Sequence, residues 1–299
     1  MNAETLQNHP DQVAIVLRNA NCPYCSASLS SSEVTKEHVI GRKFVPRGKL
    51  AGRWNLILNA CRVCNNKKSD LENDISAITL QPDSWGSYAD DDAAVAAEAE
   101  RKAGGSFSRR SGKLVGQSQE RMRINVPFMM GATMEVEFVA SPQLNPDRVA
   151  ELAHMHFAAF FYWVTYDDAI KLGRFTPGTF LVVMHATKAD WGNVINRTFM
   201  AQVANWEPLV VAHGADGFFR IIIRKHPSET CWSWGIEWNK QLRIVGFAGE
   251  DNALADLDKA LPYAENNVIE QSSDRTVAIR RQVPLSEDAD TLFFWEPGL

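Results

Sequence analysis

Apolar and polar positions alternate with two different periods along this chain, and the two predict different elements. In the first quarter, residues 32–40 and 56–58 are short runs of β-branched or aliphatic residues and read as strands. Between them lies a basic loop, residues 42–49, in which Pro46 and Gly48 forbid regular structure. Residues 11–18 form an apolar lead-in, helix or strand. A helix follows from Asn65 to about Ile75. Asp90, Asp91 and Asp92 then stand ahead of an alanine-rich helix at 93–103, acids suiting a helix N-terminus, and Gly104-Gly105 stops it. Residues 106–123 are polar and basic, carrying Arg109, Arg110, Lys113, Arg121 and Arg123; they read as a solvated linker or a mobile arm.

The second half predicts a mixed fold. Residues 124–140 read as a hairpin turning at Met130-Gly131. Asn145-Pro146 opens a helix running to about Leu172, apolar over much of its surface and so central to the core. Strands are expected at 179–185, 208–213 and 218–224, with a helix at 189–206. A hairpin, 231–238 with 241–248, turns at Asn239-Lys240. Trp232, Trp234, Ile236 and Trp238 alternate onto one face, the pattern of a sheet's core face rather than of a base-stacking platform. A short helix is expected at 252–261, and the apolar tail Leu292-Phe293-Phe294-Trp295 is expected to dock.

Composition bounds this picture. The 299 residues suffice for two modest domains, and 45% hydrophobic content can bury a large core. No apolar run reaches the roughly 18–20 residues of a membrane span. The net charge of -5 argues against the whole chain being a generic nucleic-acid binder. The charge is uneven, however. Between Arg18 and Lys68 ten basic residues face only Glu33 and Glu37, whereas residues 124–299 hold 14 basic and 22 acidic ones. A local basic patch of this kind suits a polyphosphate substrate.

The candidate chemistry falls in the basic segment. Cys22-Pro23-Tyr24-Cys25 and Cys61-Arg62-Val63-Cys64 are two Cys-x-x-Cys pairs, and two such pairs complete a tetrahedral four-thiolate zinc site. Cys231 is the fifth cysteine. The usage points to a reduced, cytoplasmic setting. The pairs are 35 residues apart, longer than the zinc-ribbon spacing of about 15–20, so the insert is where a site is to be sought. His154 and His156, two apart on a helix, face different ways and are not expected to bind metal.

The insert resembles the HNH endonuclease family, the ββα-metal nucleases. The resemblance rests on Glu37-His38-Val39-Ile40, on Asn55-Leu56-Ile57-Leu58, and on Cys61-x-x-Cys64-Asn65-x-x-Lys68, in that order; it covers about residues 20–75. It implies His38 as the general base, Glu37 and Asn65, together with His38, at a catalytic magnesium or manganese ion, and Asn55 bracing the loop that orients His38. Asn59 and Asn66 compete with Asn55 and Asn65 for those places. Arg42, Lys43, Arg47, Lys49, Arg53, Lys67 and Lys68 are the expected nucleic-acid contacts. The fold class that follows is α+β: a zinc-bound ββα-metal module at residues 1–83, a helical and basic connector at 84–123, and a mixed α+β domain with a mainly antiparallel sheet at 124–299. The implied activity is metal-dependent hydrolysis of DNA, in which a single site nicks and a homodimer is needed to cut both strands. Two other classes stay open: a zinc-stabilised nucleic-acid-binding module without turnover, and an RNA-cutting effector governed by its C-terminal half, in defence against foreign DNA.

Overall fold

A computed structural model describes residues 14–29, 34–83, 86–127, 132–263, 267–271, 276–279 and 281–294. The first sheet contains β1 (Ile15–Val16), β2 (Val34–His38) and β3 (Leu56–Cys61), in the order β1-β3-β2. β2 runs antiparallel to β3 and pairs His38 with Ile57, while β1 adds in parallel. Of the lead-in, Ile15 and Val16 are therefore strand, and residues 11–13 lie outside the described residues. α1 (Arg62–Thr79) follows β3 directly and is longer at both ends than the polar pattern predicts. Cys61 is the reason at the N-terminus: its sulfur accepts the backbone N–H of Cys64 at 3.5 Å and caps the helix. Leu71, Ile75 and Ile78 lie on the buried face of α1.

α2 (Ala93–Gly105) is capped by the Asp92 side chain, and it absorbs both glycines expected to end it. The following segment is docked, not a free arm. Ser106 Oγ bonds Asn73 Oδ1 at 3.1 Å, the Arg109 N–H donates to Asp74, and the Arg109 guanidinium pairs with Asp70 at 2.5 Å. Arg110 pairs with Glu120, Arg121 with Glu137, and Arg123 with Glu135. The basic residues that suggested a backbone-tracking arm are thus mostly neutralised by carboxylates. β4 (Glu120–Pro127) and β5 (Thr133–Ala140) form the expected hairpin, whose turn at Met130-Gly131 lies outside the described residues.

α3 (Pro146–Val164) starts as its Asn145 cap predicts but ends well before Leu172. Thr165 closes it: its hydroxyl donates to Phe161 O at 2.8 Å and accepts the Arg174 N–H, so the chain turns back. The main sheet is antiparallel throughout, in the order β6 (Thr179–Thr187), β10 (Leu242–Gly249), β9 (Cys231–Trp238), β8 (Phe219–Lys225), β7 (Glu207–Gly214). α4 (Val194–Val203) and α5 (Asp251–Lys259) complete five α-helices among the described residues, and β11 (Asn267–Gln271) with β12 (Thr276–Ile279) makes a small hairpin. Asn239 and Lys240 both take positive φ, 53° and 57°, in the tight turn joining β9 to β10.

Every residue of β9 is buried, because both faces of the sheet are covered. The tryptophan row packs under α3: Trp234 stacks on Phe180 with centroids 4.5 Å apart, and Phe161 meets Trp232 edge-on. The opposite face holds Phe199 of α4, Phe247, and Leu292 and Phe293 of the tail. Of the expected docking run, Phe294 is exposed and Trp295 lies outside the described residues.

The core under α3 also takes in the first module. Phe44 meets Trp238 edge-on at 5.5 Å, Trp54 meets Phe160, Trp54 Nε1 donates to His213 O at 3.0 Å, and Asn239 Nδ2 bonds Thr79 Oγ1 at 2.8 Å. One cluster of buried apolar residues runs from Leu17 to Ala248, so packing continues across residue 83. Among the described residues no helix is long and apolar enough to cross a membrane.

Candidate metal centre and basic cavity

The turn from Cys22 to Ser26 closes through Ser26 N to Cys22 O at 2.9 Å, and Cys22 N bonds Ala27 O. It brings the first two thiols against Cys61 and Cys64 at the start of α1. The four sulfurs all lie within 4.8 Å of one another, and the Cys25 and Cys61 sulfurs are 3.7 Å apart. Four thiolates at about 2.3 Å from a zinc ion have sulfurs about 3.8 Å from each other, so the donors fit a tetrahedral zinc. No other group of three or more His, Cys, Asp or Glu residues among the described residues is placed to hold a metal.

No protein-family model, curated protein or solved structure matches the chain. The site is therefore read from its own geometry.

His38 is half-buried in the wall of a cavity of about 1040 Å³. The loop after β2 supplies Arg42, Lys43 and Arg47 to the same wall, and Arg53 follows. Arg42 Nη2 lies 3.2 Å from His38 Nε2. A guanidinium only donates, so Nε2 accepts and the ring is neutral, with its proton on Nδ1. Burial, and next the Arg42 charge, hold the His38 pKa below the ordinary histidine value, with Glu37 opposing. Asn55 braces this loop from both sides: its Oδ1 accepts the Ile40 N–H at 3.1 Å and its Nδ2 donates to Ile40 O at 2.8 Å. Asn59 instead clasps Asn19, accepting and donating across to the lead-in segment. Between the two asparagines, it is Asn55 that supports His38.

Glu37 is placed differently from its neighbour. Alternation along β2 turns it inward, 4% exposed, while His38 faces the cavity. Its Oε1 lies 2.8 Å from Lys68 Nζ, which also meets Glu72 Oε1 at 2.5 Å and is itself 1% exposed. Burial lowers the Lys68 pKa and the two carboxylates outweigh it, so the ammonium stays charged. Gly41 admits Glu72, since a Cβ there would lie 2.2 Å from Glu72 Oε2. His156 is buried beside this cluster and held neutral by burial and by the Lys68 charge. Asn65 Nδ2 is committed to Thr35 Oγ1 at 3.0 Å, and Asn66 is exposed. In this arrangement Glu37, His38 and Asn65 do not fit a divalent cation. Lys68 holds the Glu37 carboxylate, together with that of Glu72, so an ion reaches Glu37 only by displacing that ammonium.

The basic residues divide into three groups. Arg42, Lys43 and Arg47 line the cavity and form no ion pair with a carboxylate among the described residues, although the Arg47 charge helps lower the Glu98 pKa. Arg53 lines it but pairs with Asp216 at 2.9 Å. Lys49 pairs with Asp92, Lys67 with Glu151, and Lys68 is buried, so none of these three is a free nucleic-acid contact. The structure also adds residues that local patterning does not reveal. Glu98, Arg101 and Lys102 of α2 form a second wall of the cavity. An Arg-Lys pair on an alanine-rich helix carries no signal of which cavity it faces.

Proposed function

We propose that this chain binds nucleic acid in the basic cavity and hydrolyses a phosphodiester bond there, with His38 as general base. The observation that carries the reading is a neutral imidazole in contact with the Arg42 guanidinium, in a cavity that Lys43 and Arg47 also line. A phosphate entering the cavity competes for the Arg42 guanidinium and so releases His38 Nε2 to take a proton from water. The water oxygen bonds phosphorus as the P–O bond to the leaving strand end breaks, the departing oxygen takes a proton from solvent, and Arg42, Lys43 and Arg47 meet the charge that develops on the phosphorane. Asn55 holds the loop on which His38 and Arg42 sit. The zinc-fitting cysteines take no part in the reaction; they fix the Cys22–Ser26 turn against the end of β3 and the start of α1.

A second reading, binding without turnover, is favoured by the Lys68–Glu37 pair, which neutralises the one carboxylate next to the base. A single assay separates the two: purified protein with plasmid, linear DNA and RNA, each with magnesium, manganese or chelator. Cleavage that His38→Ala slows by about 100- to 10,000-fold, with unchanged affinity, supports the hydrolase. Cleavage that survives chelator assigns the charge stabilisation to the cavity's own cations. Cleavage that requires a divalent ion means that Lys68 leaves Glu37 when the ion enters. Binding with no product from either protein gives the second reading, and wild-type rates in His38→Ala remove His38 as the base.

A further inference from the structure

Lys102 has no assigned role in the reading above, yet its surroundings are unusual. It is 6% exposed and lines the same cavity as the module's basic loop. Its ammonium donates to Lys43 O at 2.6 Å and to Ser76 Oγ. Ser76 is itself committed, donating its own proton to Phe44 O. Both acceptors of Lys102 are neutral, and among the described residues no carboxylate lies within ion-pair distance of it. Every other buried lysine described, namely Lys68, sits between two carboxylates. A buried charge is paired or costly, and a lysine ammonium has three N–H donors, of which two are used here. Lys43 and Arg47, which line the same cavity, likewise form no ion pair with a carboxylate among the described residues.

Resting on the nucleic-acid reading, we propose that Lys102, with Lys43 and Arg47, forms a phosphate-binding subsite that holds the substrate strand against α2, in the cavity that His38 also lines. The cleft is then built jointly by the module and the connector helix, whose ammonium sits directly on the module's Lys43 and Ser76. Burial pulls the Lys102 pKa down to about 8, which marks an ammonium waiting for a counter-charge. Glu98 and, from α1, Glu72 favour its charged form at longer range, and Arg101 opposes it.

The test compares wild type with Lys102→Met, Lys102→Arg and His38→Ala. The probes are a short fluorescein-labelled single-stranded oligonucleotide, titrated over a salt series, and inorganic phosphate, read by thermal melting. Folding is checked by zinc content, which the methionine should preserve because it replaces a buried unpaired charge by an apolar chain of similar length. The subsite predicts that Lys102→Met weakens oligonucleotide binding and reduces the log–log salt slope by about 0.7, the loss of one phosphate contact on a single strand. Lys102→Arg and His38→Ala should keep the slope. Equal affinity and slope in wild type and Lys102→Met overturn the subsite and leave the hydrolase reading intact. No oligonucleotide binding by any protein, with phosphate stabilising wild type but not Lys102→Met, keeps the subsite and removes nucleic acid as the substrate.

Discussion

Two adjacent residues, Glu37 and His38, show how a strand's alternation sorts chemistry. One turns into the interior and is neutralised by Lys68; the other meets the cavity. Arg42 tunes the second. It is the next largest cause, after burial, of the lowered His38 pKa. As the proposed general base, His38 acts only when neutral, so the rate should fall as pH drops through that pKa, below the ordinary value of about 6.5. Removing a nearby cation raises the pKa. Arg42→Gln should therefore move the acid limb of the pH–rate profile to higher pH. A limb that stays in place, or moves lower, would show that Arg42 does not set the protonation of His38.

At the scale of elements, the four-cysteine cluster locks a turn, a strand end and a helix start to each other. Cys61 is both a candidate ligand and the N-cap of α1, so its loss acts twice. Metal analysis of protein purified without chelator should give about one zinc per chain. Cys61→Ala should lose it and unfold β2, β3 and α1 together, because metal binding supplies much of the folding free energy of a small module. Circular dichroism with metal content checks this, and a Cys61→Ala chain that melts like wild type would leave the cluster without a structural role. α2 lies at the same scale. Its Asp92 cap and alanine-rich body are legible in sequence, whereas its place as a cavity wall comes from Val95, Ala99 and Ala103 being buried.

On the scale of the whole molecule, the module and the large sheet share one core. Trp54 is the clearest bridge: it packs edge-on against Phe160 and bonds the backbone of β7. Trp54→Ala should cost about 3–5 kcal/mol, the usual range for a buried aromatic, and should lower one common melting transition. Zinc release and loss of far-ultraviolet signal should coincide; two separate transitions would show that the halves fold independently. The chain's own order determined much of this protein. Its two periodicities place most strands and helices, because backbone geometry repeats locally, and the paired Cys-x-x-Cys spacings find the four-cysteine cluster, because each turn is short. Helix ends were less legible: α3 stops at Thr165 through a bond to Arg174, a partner no periodicity encodes. Charge pairing was not legible at all. Lys68 reads as a surface cation beside Lys67, and only the fold puts it between Glu37 and Glu72. Lys102 reads as one more polar residue on an exposed helix, and only the approach of Lys43 and Ser76 from the module buries it. Such pairings depend on side chains brought together from positions far apart in sequence, so the chain order specifies which charges exist while tertiary packing decides which of them remain free to meet a ligand.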